Sequence, residues 1–251
     1  VSYLYYADRI YQINLAIAGI AVGTVLLPNL SKYIQENKIK KVEFIQNKSL
    51  ELCLFLSLPA TAALLISSEE ITSSLFGYGS FDIFSVKNSA NALFYFALGL
   101  PAFALIKVFS SFFFARHDTK TPFYISLVSV ILNIVISVAL FQKIGFIIIP
   151  ISTSISSWFN AITLYIFSRR RNFFIFNKIF VYRFPRIFFS SLIMGLIFYF
   201  LLDILGDKLS YSENLKFIYL LFSIFITLIS YLIISIFTKA FKLSDIKLNY
   251  K

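Results

Sequence analysis

Two basic residues, Arg9 and Lys107, stand inside apolar stretches. An ionisable group within a membrane helix is expensive, and by default it marks a binding site or a transport path. Arg9 closes the run Tyr5-Tyr6-Ala7-Asp8-Arg9. Counted as helix from Val1, it lies about 13 Å deep, beyond the interface. A guanidinium held in a cavity there suits two-pronged recognition of phosphate. Asp8 points about 100° away from its neighbour, so the two do not form a simple helix-face pair. Gln12 follows Asp8 by four residues and Arg9 by three, so it can support either. Asp8, Arg9 and Gln12 are therefore the candidate substrate-binding set. The alternatives for Arg9 are pairing with an acid outside this chain and snorkelling to the outer surface. Lys107 lies about 12 Å from the end of its run at Ala115. A lysine stem reaches much of that distance, so site and snorkelling stand level for it.

Polar residues also recur at helical spacing. Ser126, Ser129, Asn133 and Ser137 share one face; Thr153, Ser156, Asn160 and Thr163 share another. Two such faces on consecutive helices suggest a hydrated wall or a hydrogen-bonded helix interface. Asn133 and Thr153 could lend oxygens to a cation, but these two stretches contain no carboxylate, so no firm metal site follows. The same helix as Arg9 carries Gly19 and Gly23 at close-packing spacing. The single cysteine, Cys53, and the single histidine, His117, exclude an intrachain disulfide and argue against a zinc site or a Cys/His catalytic pair. There is no glycine-rich phosphate loop, paired-carboxylate site or Ser/His/Asp arrangement. The expectation is a transporter rather than an enzyme, with no cofactor beyond coupling by a monovalent cation or by the membrane potential.

The elements that hold these residues must be membrane helices. Of 251 residues, 59% are hydrophobic and only 14% charged, where a soluble domain carries roughly 25% charged. Spans of about 20 residues are expected over 3–29, 50–67, 91–115, 122–141, 144–168, 187–205 and 217–238. A short interfacial helix is expected after Glu69, ending at Gly77 and Gly79. The net charge of +11 gathers in the connections, which points to topology and anionic lipid rather than nucleic acid. One alternating set of connections holds five, two, six and four Lys or Arg; the other holds one, one and two. The positive-inside rule makes the first set cytoplasmic, with the N-terminus outside and the C-terminus inside, a parity that seven spans satisfy. The expected fold is an all-α integral membrane protein of about seven transmembrane helices. Since the chain opens at Val1 directly into a helix, an upstream portion is expected to be missing.

Several segments resemble the MurJ (MviN) flippases of the multidrug/oligosaccharidyl-lipid/polysaccharide exporter superfamily. They are Tyr5-Tyr6-Ala7-Asp8-Arg9 with Ala21-Val22-Gly23-Thr24-Val25-Leu26-Leu27-Pro28-Asn29-Leu30-Ser31, then Leu75-Phe76-Gly77-Tyr78-Gly79-Ser80-Phe81-Asp82, then Phe114-Ala115-Arg116-His117-Asp118-Thr119-Lys120-Thr121-Pro122. The resemblance covers about residues 2–170 and matches the family's C-terminal half. It implies helices eight to fourteen of a fourteen-helix protein, with 1–170 the C-terminal lobe and 171–251 a helix pair and cytoplasmic tail. It also implies movement of lipid II, the undecaprenyl-pyrophosphate-linked precursor of peptidoglycan, across the bacterial cytoplasmic membrane by rocking lobes. Arg9 would be the cavity arginine and Asp8 its neighbour, and helices 187–205 and 217–238 would line a groove for the lipid tail. The partners would be lipid II, membrane lipids and an N-terminal lobe absent here, without which the chain should not transport. Should the intact protein hold a sodium ion, as some relatives do, Asn133 and Thr153 would be its ligands here, though Ser137 stands where a carboxylate would help.

The alternatives are an exporter of other lipid-linked oligosaccharides or small cations, and a non-transporting membrane scaffold. A retinal receptor is excluded, because residues 217–238 contain no lysine.

Overall fold

The structure, a computed structural model, describes residues 2–241, and within the first helix the side chains of all but residues 14, 15 and 17–25. Its elements are α1 (Ser2–Gln35), α2 (Ile39–Ile66), α3 (Ser68–Phe76), α4 (Ile83–Phe114), α5 (Lys120–Ile144), α6 (Ile148–Arg170), α7 (Lys178–Ile204) and α8 (Lys216–Phe237). Short 3-10 turns follow α5 and α7. Runs rich in Ile, Val and Phe would suit strands in water. In hydrocarbon every backbone N–H and C=O must bond within its own segment, and helix is how a single run achieves that.

Among the described residues, five stretches are long and apolar enough to cross a membrane: Ile39–Ile66, Ile83–Phe114, Lys120–Arg170, Lys178–Ile204 and Lys216–Phe237. The third comprises α5 and α6, which meet at Gly145, whose φ of 75° is left-handed. The expected interfacial helix is α3, ending before Gly77.

Three helices begin earlier than the sequence reading. α2 begins at Ile39, α4 at Ile83 and α7 at Lys178, each about two turns or more before the expected apolar span. Helices run on beyond the hydrocarbon, whereas apolarity marks only the part within it. Lys40, Lys41 and Lys48 therefore ride on α2, and Arg183 and Arg186 on α7, rather than in loops. Gly19 and Gly23 lie among the undescribed side chains, and the basic tail beyond residue 241 lies outside the described residues.

Cross-contacts fix the directions. Tyr3 packs on Phe84 and Tyr11 on Phe96, so α1 and α4 run parallel. Asn133 bonds Thr153, Ser137 bonds Ser152 and Asn160 bonds Ser126, so α5 and α6 form an antiparallel hairpin. α4 and α6 come close at Gly99, where a Cβ would lie 2.8 Å from Ser154 Oγ. The connections thus gather at two ends. At one end, Tyr211 donates to Phe81 O and Tyr3 meets Phe146. At the other, Arg171 pairs with Asp118 and Gln46 donates to Phe173 O. The basic connections lie at the second end.

The interior holds three apolar clusters: Leu50, Cys53, Phe109, Phe112 and Phe174 toward the basic end, Ala7, Leu93, Leu100, Phe198 and Leu220 toward the other, and Phe55, Ile187, Met194 and Tyr231 where α2, α7 and α8 meet. α5 exposes Phe123, Leu127, Ile131, Val135 and Val138 along one side. Water would make that an aggregation surface, while lipid makes it the outer wall of the protein.

Candidate functional site

α1 has two unlike faces. Ala7, Ile10 and Tyr11 are buried, with Tyr11 between the rings of Phe96 and Phe103 on α4. Arg9 and Gln12 are exposed and Asp8 is half-buried. Gln12 donates through Nε2 to Asp8, so of the two partners open to it, it serves the aspartate. Arg9 instead donates to Tyr5 Oη at 2.9 Å, with its guanidinium 4.8 Å from that ring's centre. Tyr5 is thus a member of the site that sequence reasoning passed over, although its spacing of one helical turn from Arg9 was available. The result is one open polar face bearing a cation, an anion, an amide and a phenol. Hydrocarbon does not solvate such a face, so it belongs against water, substrate or further protein.

Lys107 is exposed on α4. Because Tyr11 is level with Phe96 and Phe103, Lys107 lies roughly 14 Å further toward the basic end than Arg9. The structure therefore does not bring Lys107 together with the Asp8–Arg9–Gln12 set.

The two polar stripes meet each other. Asn133 Nδ2 donates to Thr153 Oγ1 at 3.1 Å and to Ser156 Oγ at 3.3 Å, and Ser137 and Ser152 share a 2.6 Å bond. A cavity of about 260 Å³ between α4, α5 and α6 is lined by Phe103, Ile106, Asn133, Thr153, Ser156 and Asn160, and the buried Asn160 Oδ1 has no hydrogen-bond partner. The lining offers neutral oxygens and no carboxylate.

Sequence reading missed a buried charge. Glu51, on α2 within an expected span, accepts from Arg183 of α7 and lies 3.4 Å from Lys48 Nζ. Glu51 must therefore be added to the acids within spans, and Arg183 is a helix-packing residue rather than a topogenic loop charge. Neighbouring side chains clamp the α6–α7 linker. Gln46 donates to Phe173 O, Asn47 donates to Ile175 O and accepts from Asn177 N, and Asn177 caps α7 through Phe180 N. At the other end Lys216 is buried, donating at 2.8 Å to both Gly77 O and Tyr211 O, with the rings of Tyr78 and Tyr211 beside it. It ties the start of α8 to the Gly77-Tyr78 turn.

The segment around His117 is a junction. Arg116 donates to Phe112 O and Phe173 O, and Asp118 accepts from Thr121 and Arg171. His117 takes a left-handed φ of 59°. Burial pushes the Asp118 carboxyl up, but the bonds from Thr121 and the Arg171 charge outweigh it and hold the carboxyl below its ordinary range.

A large apolar groove of about 1190 Å³ opens between α2, α4, α6 and the first half of α7. No α8 residue lines it, and of the expected 187–205 stretch only Phe188 does.

The family profile described as Lipid II flippase MurJ matches residues 1–220. The chain is 42% identical over 172 residues to a probable lipid II flippase MurJ of Rickettsia prowazekii (strain Madrid E), covering 68% of this chain and 34% of that protein. It is 39% identical over 216 residues to one of Rhizobium meliloti (strain 1021), covering 86% and 40%. A solved structure of lipid II flippase MurJ in an inward closed conformation superposes with a TM-score of 0.76 at 27% identity, covering 95% of this chain and 47% of that one. The chain thus spans between a third and a half of the length of these relatives.

Proposed function

This chain belongs to the lipid II flippase MurJ family, and on that premise we propose that it forms the C-terminal lobe and helix pair of a transporter carrying lipid II across the bacterial inner membrane by alternating access. The observation that carries the reading is the open polar face of α1. Arg9 presents a guanidinium fork to a pyrophosphate, and Tyr5 fixes its direction through the hydroxyl and the ring. Asp8, tied to Gln12, tempers the positive field so that the anion can leave as well as bind. The other wall of the cavity comes from a partner lobe of the kind that the longer relatives have room for. Residues 1–170 act as the moving lobe, and residues 171–251 as the pair that receives the lipid tail and the tail that follows it.

The orientation follows the charge. The end bearing the basic connections lies in the cytoplasm and the end near Arg9 lies outside, with the N-terminus outside and the C-terminus inside. For coupling, the α5–α6 cavity is the place for a monovalent cation. The oxygens of Asn133, Thr153 and Asn160 suit a hard cation, and the charge balance would have to come from elsewhere.

The test is rescue of bacterial cells depleted of their own lipid II flippase by the complete gene product, beside Arg9→Ala and Arg9→Lys at equal expression. Rescue by the parent, failure of Arg9→Ala and partial rescue by Arg9→Lys is the expected pattern. Full rescue by Arg9→Ala would remove Arg9 from the site. A well-expressed parent that rescues nothing would count against lipid II as the cargo.

A further inference from the structure

The groove between α2, α4, α6 and α7 looks away from the site. Its α4 wall is Tyr95, Leu98, Pro101 and Leu105, while Phe96 and Phe103 face Tyr11 of α1. Residues two apart on a helix point about 200° apart, so α4 stands between the groove and the Arg9 face. At about 1190 Å³ it exceeds the roughly 300–1,000 Å³ of ordinary ligand pockets, and its lining is almost wholly apolar. A bilayer will fill such a space with a hydrocarbon chain.

The two helices flanking its mouth carry a further signal. On α6 the lining residues Trp158, Ile162 and Tyr165 fall at spacings of four and three, and the next position on that stripe, four residues on, is Arg169. On α7 the lining residues Val181, Pro185 and Phe188 fall at spacings of four and three, and the preceding position, three residues back, is Lys178. α6 runs toward the basic end and α7 leaves it, so the two cations flank the same end of the groove, one from each wall. Both are exposed, and neither engages a protein acceptor among the described residues. Arg169 opens a run of three arginines that covers more than one face, and of that run Arg169 is the member that continues the lining stripe, as Lys178 does on α7.

We propose that this groove is a binding site for an anionic phospholipid of the surrounding membrane, its acyl chains lying against α4, α6 and α7 and its phosphate held between Arg169 and Lys178. The site is separate from the transported cargo and does not depend on the proposed function. Each interfacial cation should favour the anionic head group by about fivefold.

The test is native mass spectrometry of the complete gene product, purified in detergent and titrated with dioleoyl phosphatidylglycerol or dioleoyl phosphatidylcholine. The parent should retain the anionic lipid about tenfold or more over the zwitterionic one. The double variant Arg169→Gln/Lys178→Gln should lose the preference while keeping phosphatidylcholine adducts, and Arg169→Lys/Lys178→Arg should keep it. Ile162→Trp, which fills the mouth, should lower both lipids. Equal retention of the two lipids by the parent, or a preference that survives the double Gln variant, overturns the proposal. So does displacement of phosphatidylglycerol by undecaprenyl diphosphate that Arg9→Ala abolishes, since the groove would then belong to the cargo path.

Discussion

Arg183 on α7 donates to Glu51 on α2 with both side chains nearly enclosed, 10% and 7% exposed. Lys48 approaches the same carboxylate oxygen, so three ionisable groups meet where α2 packs on α7. Removing one partner of a buried pair leaves an uncompensated charge and costs about 3–5 kcal/mol. Glu51→Ala should therefore lower the unfolding midpoint in detergent sharply, and should loosen α7 from α2 as read by cysteine cross-linking across the two helices. Replacing Glu51, Lys48 and Arg183 together by Leu should recover much of the loss. Equal damage from the triple and from the single change would mean that the contact is not the cause.

Asn133 staples the α5–α6 hairpin through Thr153 and Ser156. Hydrogen bonds between membrane helices are worth about 0.6 kcal/mol on average and up to about 1.7. Asn133→Leu should destabilise by roughly 0.5–2 kcal/mol in a denaturant titration. Thr153→Val added to it should cost less than it does alone, because the shared bond is already gone. Strictly additive costs would show that the two side chains do not interact.

The junction at Asp118 should be sensitive to acid. Its carboxyl is held below the ordinary range: burial raises it, but the Thr121 bonds and the Arg171 charge prevail. A depressed carboxylate contributes stability that is present above the unfolded value of about 3.9 and is lost as pH falls through the folded value. Protection of the amides over residues 115–122, relative to their intrinsic exchange rates, should therefore fall below about pH 4, and Asp118→Asn should lower it at neutral pH and flatten the dependence. An unchanged exchange profile in Asp118→Asn would refute this.

Much of the architecture was legible in the order of residues. Hydrocarbon demands that each spanning segment satisfy its own backbone, so apolar runs read as helices. The alternation of Lys and Arg between connections likewise predicted the gathering of the basic connections at one end, which the structure shows. Asp8 and Gln12, four residues apart, pair as their spacing allows, and the polar stripes of α5 and α6 face each other as two stripes on consecutive helices should. These are local relations, set by helical geometry over a turn or two and by the solvent.

The tertiary structure decided what depends on which faces meet. Glu51 and Arg183 are 132 residues apart, Gln46 and Phe173 127, and Lys216 and Gly77 139. No periodicity along the chain announces such pairs, so a charge counted as a loop residue proved to be a buried tie. The placing of Lys107 well away from Arg9, and the groove walled by four helices, follow from the packing of α4 between α1 and α6. Apolar pattern tells a helix which solvent it prefers. Only close packing against particular neighbours, where side-chain shape and paired polar groups discriminate among many equally greasy surfaces, selects its partner.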